Sequence, residues 1–482
     1  MIQAAARRPP ALVTDLAISV ALLLPMLLPR LPLLDLPGHL AIEHILAGLP
    51  NDPAYARFYL FQPAVMGNLA LHWFVLLARQ VMPIDLAVRI FCALIPLMLF
   101  WGSRAVAHRL VGTQARAWRF AALFAYGGPL QFGFVDFCFG IGLALLVFAL
   151  WLRWRSAPLW RQCALLLLPA TAVLLSHLAA FGALGVAVGA ILLAEATGGP
   201  RPFFVAAARA ACWLLPPLLL VALGAGNQPG SDLLIWATPR QKLEALAAIT
   251  MFAYPAYELA LLGLLLSAGL LGWIGGYLHP TRAGWSLAVC FALVFVLLPR
   301  DVAGAGLVDY RLPWAASFFI VAAIAPSAPH RWRILPLGAV GGLLIAARIV
   351  LILLSWRSWQ NELAGIDAAL GALPRGAVLM VAEGDPGSES LARRPPLRHV
   401  AAYATAHAAA FEPNGFAGLA GQLVALRPPW RDLWRVKPPP AIDQLDPRAT
   451  HLLVLRPELV RLAPDIALHA IAQGIGFVLY ER

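Results

Sequence analysis

The chain has 482 residues, of which 61% are hydrophobic and 12% charged, with a mean hydropathy of +0.76. A soluble domain carries about 25% charged residues, so this one cannot cover itself for water and lipid must be its solvent. The formal charge of +12 does not point to nucleic acid, because the basic residues sit in short loops between apolar runs, where they orient a chain in a bilayer and contact anionic lipid.

A membrane-spanning helix needs about 20 mostly apolar residues. The first such run, 11–29, follows Arg7 and Arg8 and is followed by Arg30, Pro32 and Asp35 rather than a small-residue cleavage site, so it reads as an uncleaved span. Residues 37–49 and 64–82 have helical periodicity but carry His39, Glu43, His44, Asn68, His72 and Arg79. They read as surface helices within one long outer loop, 37–85. Further spans are expected at 88–107, 119–130, 138–153, 161–177, 179–196, 205–223, 258–277, 284–299, 312–327 and 334–355, about eleven in all. Arg and Lys are commoner in the loops that share the side of Arg7 and Arg8, such as Arg104, Arg109, Arg116, Arg119, Arg331 and Arg333. That bias places the N terminus in the cytoplasm.

After Ser355 the composition turns polar and Pro-rich. Segments 376–384, 450–457 and 475–482 read as buried strands, and 358–373 and 463–473 as helices. The expected architecture is a mainly α polytopic membrane domain over 1–355 and a small α/β soluble domain over 356–482, placed outside by the span count. The five cysteines, Cys92, Cys138, Cys163, Cys212 and Cys290, form no CxxC and none falls in the polar part, which argues against a disulfide framework.

Ionisable groups at membrane depth are costly and usually functional. Asp35 directly follows the first span, with His39 and Glu43 on one face of the next helix; the competing reading of Asp35 is a plain helix cap. Asp136 lies among Phe134, Phe137 and Phe139, and its alternative is a helix-start residue at the interface. His177, at the outer end of a span, reads as a phosphate or metal ligand or as a hydrogen-bonded core histidine. Asp309 and Arg311 precede a late span; a guanidinium there matches phosphate oxygens, or else anchors the helix at the interface. Arg348, inside the last span, needs a carboxylate or phosphate partner that the sequence does not identify. No phosphate-cradling glycine loop, HExxH or GxSxG is present.

These segments together resemble the GT-C class of integral-membrane glycosyltransferases. DLPGHLA (35–41) resembles the DxPNHLA-type motif of bacterial members, with Gly38 where the motif has Asn. PLQFGFVDFCFG (129–140) resembles the segment with the second outer acid, and LLSHLAAFG (174–182) and VDYRLPW (308–314) resemble later segments. The resemblance implies a GT-C-like arrangement and a polyprenyl-phosphate-linked sugar donor. It implies a glycan, lipid or protein acceptor on the periplasmic side of a bacterial inner membrane. It implies catalytic roles for Asp35 and Asp136 and substrate contacts from His39, Glu43, His177, Asp309 and Arg311. It leaves open a divalent cation, Mg or Mn, on Asp35 and Asp136. The competing classes are a carrier or flippase for a lipid-linked or anionic solute, which calls for broken helices in paired halves, and a non-catalytic membrane assembly protein.

Overall fold

The computed structural model describes residues 11–63, 67–196, 200–224, 234–250, 254–276, 278–302, 306–326, 334–384, 396–419 and 421–482. Arg7, Arg8, Arg331 and Arg333, four of the cations that set the orientation above, lie outside the described residues.

The helices run α1 (Ala11–Leu23), α2 (Leu36–Gly48), α3 (Pro53–Phe58), α4 (Ala70–Ala78), α5 (Ile84–Leu110), α6 (Ala121–Phe124), α7 (Gly128–Gln131), α8 (Val135–Trp154), α9 (Leu159–Ser176) and α10 (Leu178–Glu195). They continue as α11 (Pro200–Gly224), α12 (Pro239–Ala247), α13 (Pro255–Ile274), α14 (Arg282–Leu297), α15 (Val308–Ala322), α16 (Ile334–Ser358), α17 (Gln360–Gly371) and α18 (Ala402–Ala408). Among the described residues, seven helical stretches are long and apolar enough to cross a membrane, and the shorter apolar helices Leu12–Leu27 and Arg282–Leu297 accompany them. Large apolar side chains such as Leu168, Leu219, Leu271, Val296 and Leu343 are exposed on these helices. On a water-soluble protein such a surface would aggregate; against hydrocarbon it matches its solvent.

Most expected spans match observed helices to within a few residues. The 119–130 run is the exception: a 3-10 turn at Ala117–Phe120 is followed by the short α6 and α7, broken at Tyr126 and Gly127. The helix breaks because Gly127 and Gly128 are followed by Pro129, which cannot donate into an α-helical ladder. The segment survives at membrane depth because it is wholly enclosed by protein: residues 121–130 are all buried.

The outer-loop helices differ from each other. α4 is open on one face, with Trp73 and Leu77 exposed. α2 is enclosed by protein; eight of its residues, from Leu36 to Ile45, are buried. The reason is the C-terminal region, which covers it. Tyr55 donates its hydroxyl hydrogen to the Thr405 carbonyl at 2.9 Å. Strand Tyr59–Phe61 pairs antiparallel with Val424–Leu426. Phe58 meets Trp430 edge to face at 4.7 Å. Ile42, Ile45 and Tyr55 share one apolar cluster with Val378, Phe411 and Phe416.

The C-terminal region carries a four-stranded sheet in the order His469–Gly474, Phe477–Glu481, His451–Leu455, Leu379–Glu383. The first two pairings are antiparallel and the last parallel. The three predicted strands are present, and so is the helix at 358–373, as α17. The helix expected at 463–473 is instead largely extended, with a strand at His469–Gly474. Gly476, at φ +71°, turns the chain back as a hairpin, and the alternating side chains that resembled a helix face pair across it.

Candidate functional site

The geometry of Asp35 comes from a turn far along the chain, between α7 and α8. Leu34 and Asp35 donate their backbone N–H groups to the Gln131 and Phe132 carbonyls, each at 3.0 Å. This clamps the start of α2 against the turn that leads into α8. Gly133 occupies a left-handed conformation at φ +79°, and a Cβ there would lie 2.8 Å from the Asp35 nitrogen. Only glycine permits the approach. Asp35 is the N-cap residue of α2, yet its side chain makes no capping hydrogen bond. Its Oδ1 instead stands 3.6 Å from His399 Nε2, contributed by the C-terminal region.

His399 was not a sequence candidate, and its neighbour Phe416 was not either. The Phe416 ring packs edge-on against both His39 and His399, with centroids 5.1 Å away in each case. It also explains the departure at Gly38: a Cβ there would sit 2.9 Å from that ring. Burial first, then neighbouring positive charge, pushes both His39 and His399 down to about 3. Both rings are therefore neutral at physiological pH and add no cation beside Asp35.

Arg311 supplies the cation. Its guanidinium lies over the Phe134 ring at 4.1 Å and near Phe137 at 5.8 Å. Asp35 and His177 are among the groups that act on it electrostatically. Among the described residues Arg311 makes no ion pair, and its buried Nε has no hydrogen-bond partner. A cation so placed, over aromatic faces and in the field of Asp35, is suited to a further anion. His177 packs against Phe137 at 5.2 Å. Its Nδ1 accepts the Ala179 backbone N–H at 3.0 Å, which makes it the N-cap of α10 and leaves the ring proton on Nε2.

Asp136 is on the same side as Asp35 but faces another set of partners. Its Oδ1 accepts the Leu71 N–H at 2.8 Å, capping α4 from outside that helix, while Oδ2 is buried without a partner. Glu43 and His72 are joined by a short hydrogen bond, and Asp136 lies within their electrostatic reach. Burial opposes charge on His72, but the Glu43 carboxylate beside it and Asp136 beyond it leave its ionisation raised. His39 and Glu43 share a face of α2 as expected, but Glu43 is committed to His72. Asp309 is fully buried and paired with Lys242 Nζ at 3.1 Å. Lys242 also donates to the Phe295 and Leu298 carbonyls at 2.8 and 2.7 Å. This is a tether between α12, α14 and α15.

The two acids therefore do not form a pair. Among the described residues no group of three His, Cys, Asp or Glu side chains is gathered to hold a metal ion. The donor set does not fit a divalent cation on Asp35 and Asp136.

Glu412 anchors the turn that presents Phe416. It is 3% exposed and accepts the Asn414 N–H at 2.8 Å. Burial pushes its carboxyl up to about 7. The folded protein thus prefers the neutral acid, and the stability it contributes is present in acid and lost as pH rises through about 7. Glu412→Gln stays neutral, so its thermal midpoint should exceed the wild type's at about pH 8, by the equivalent of roughly 3 kcal/mol, and match it at about pH 5. Thermal unfolding at the two pH values checks this; an advantage that does not grow with pH refutes it.

No known family profile matches the chain, and no curated protein matches it. Two solved structures do resemble it. ArnT from Cupriavidus metallidurans bound to undecaprenyl phosphate shares 12% identity at a TM-score of 0.55, with 97% of each chain covered. The apo state of the same protein gives 12% identity, a TM-score of 0.54, and coverage of 97% of this chain and 96% of that one. The chain therefore shares the fold of ArnT over nearly its whole length.

Proposed function

We propose that this chain is an inverting membrane glycosyltransferase that moves a sugar from a polyprenyl-phosphate donor to an acceptor at the periplasmic face of a bacterial inner membrane. The observation that carries this reading is the unpaired Arg311 guanidinium, set over Phe134 beside His177 and within the field of Asp35. A phosphate is the anion whose shape and charge suit it. The likeness to a protein whose structure holds undecaprenyl phosphate supports the same ligand class here.

In this reading Asp35 takes the proton of an acceptor hydroxyl as its oxygen attacks the anomeric carbon. The bond from that carbon to the phosphate oxygen breaks, and the polyprenyl phosphate departs with the electron pair. Arg311, aided by the His177 Nε2–H, offsets the charge growing on the phosphate. A single displacement inverts the anomeric centre. Asp136 acts as a positioning residue: by capping α4 it holds His72 against Glu43 on α2. Residues 1–355 would form the membrane domain, with a cytoplasmic N terminus, and 356–482 a periplasmic domain.

Arg311→Ala should raise the donor KM at least about tenfold, as expected when a charge-assisted contact of about 2 kcal/mol is removed. The assay is release of undecaprenyl phosphate from an undecaprenyl-phosphate-linked sugar by the purified protein in lipid nanodiscs. An unchanged donor KM sinks the phosphate clamp, and no release by the wild type with any such donor sinks the function.

A further inference from the structure

On the far side of the first turn of α2 from the Asp35 contacts lies a cavity of about 500 Å³. This is within the ~300–1,000 Å³ typical of small-molecule sites. Leu36 and Pro37, the residues that follow Asp35, form part of its wall, and Arg30, Asp85, Arg89, Asp367, Tyr403 and His407 supply its polar lining. It is built from the end of the first span, the start of α5 and the C-terminal region together.

Some of that polarity is already used. Arg30 donates to Asp367 Oδ2 at 2.8 Å from Nε, and His407 Nε2 stands 3.0 Å from Asp367 Oδ1. Asp85 pairs with His44 at 3.2 Å but keeps 53% of its side chain exposed. Other groups are not used. Tyr403 is 7% exposed, lines the cavity, and its hydroxyl makes no hydrogen bond among the described residues. Arg89 makes no ion pair among the described residues, and one of its N–H groups donates to the Pro29 carbonyl. A phenol hydroxyl and a guanidinium that have no hydrogen-bonding side-chain partner among the described residues, both facing one water-accessible cavity, offer donors that a ligand can take over from water.

The kind of ligand follows from the groups on offer. Arg89, with the spare N–H groups of Arg30, calls for an anion. Asp85 accepts hydroxyl protons, and the Tyr403 hydroxyl either donates or accepts. Tyr403 and His407 stack with ring centroids 5.9 Å apart and planes 9° apart, which gives the cavity a flat aromatic wall for the C–H face of a ring. We propose that this cavity is a second ligand site that takes a phosphorylated sugar, held by Arg89 and Arg30 through phosphate and by Tyr403 and Asp85 through hydroxyls. Leu31, Leu40 and Val88 form an apolar side suited to a lipid-borne headgroup as well as to a free sugar phosphate. The binding does not rest on the transfer reading above.

Isothermal titration calorimetry on the full-length protein in nanodiscs reads binding without catalysis. α-D-Glucose 1-phosphate should bind, and both methyl α-D-glucoside and inorganic phosphate should bind at least about tenfold more weakly, because each lacks one half of the recognition. Arg89→Gln and Tyr403→Phe should each weaken glucose 1-phosphate binding about tenfold, as expected for charged or buried hydrogen bonds. Nanodiscs containing phosphatidylinositol, compared with phosphatidylcholine alone, separate the sources. Competition from the inositol lipid assigns the site to lipid headgroups, and its absence assigns it to soluble sugar phosphates. The proposal is overturned if neither glucose 1-phosphate nor the inositol lipid binds, if inorganic phosphate binds as tightly as the sugar phosphate, or if both variants bind like the wild type. A folded protein that binds but transfers no sugar would sink the function and leave this site standing.

Discussion

Asp35→Asn should lower kcat by about 10²–10⁴, the span that a positioned general base contributes, while the thermal midpoint stays close to the wild type's. The expectation of a large kinetic effect rests on chemistry: an amide is isosteric with the carboxylate but cannot accept the acceptor's proton. The expectation of a small effect on stability rests on geometry. The amide keeps the shape of the carboxylate and one acceptor oxygen, and no capping hydrogen bond to α2 depends on the charge. The backbone bonds that fix this residue, to Gln131 and Phe132, are untouched. His399 and His39 are held neutral by burial, so no histidine can replace the lost base by titrating near pH 7. Single-turnover transfer from an undecaprenyl-phosphate-linked sugar, with thermal unfolding in parallel, checks both halves. Wild-type turnover would remove Asp35 from the mechanism, and a large fall in midpoint would make it structural.

The largest effect on stability is expected far from that chemistry. Arg348 of α16 is 1% exposed and pairs with Glu258 of α13 at 2.6 Å. Its other nitrogen donates to the Tyr126 carbonyl at 3.2 Å and to the Thr250 carbonyl, and the Thr250 hydroxyl donates to the Glu258 carbonyl at 3.0 Å. The break between α6 and α7 exposes backbone at membrane depth, and Arg348 satisfies one of its carbonyls. Arg348→Ala removes the guanidinium that pairs with buried Glu258 and bonds the Tyr126 and Thr250 carbonyls, at a cost of about 3–5 kcal/mol. The double replacement Arg348→Met with Glu258→Leu should recover much of this, since apolar pairs often substitute for buried ion pairs at about neutral cost. Thermal unfolding of the single and double variants decides the matter; a single variant as stable as the wild type would show that the pair is not needed.

Hydropathy made the helical spans legible because lipid imposes one rule on every residue in a run. Where protein rather than lipid surrounds the chain, that rule fails. The 119–130 run is apolar enough to cross, yet the Gly-Gly-Pro break and complete burial turn it into short pieces. The 463–473 segment looked helical because its strand pairing depends on a reversal at Gly476, beyond the window that periodicity reads. The site was legible in part. Asp35, His177 and Arg311 signalled themselves as charges or histidines at apolar boundaries; Arg311 and His177 both pack against Phe137, and Asp35 acts electrostatically on Arg311. Asp136 gave the same signal but serves α4, and Asp309 gave it but serves Lys242. His399 and Phe416 gave none, because polar and aromatic residues in a polar region are ordinary until the fold brings them against α2. Arg348 announced that it required a partner, and only tertiary structure could identify Glu258.

The union of the first outer loop with the end of the chain has a consequence for biosynthesis. Tyr55 bonds to a carbonyl 350 positions later, and Arg30 to an acid 337 positions later. Contacts of such separation form late in folding. During synthesis the segment bearing Asp35 leaves the ribosome early, but His399 and Phe416 reach it only after the last spans have been inserted. A nascent protein stalled before that point would carry Asp35 without His399 and Phe416 beside it, so this cluster is completed only when the end of the chain has been made.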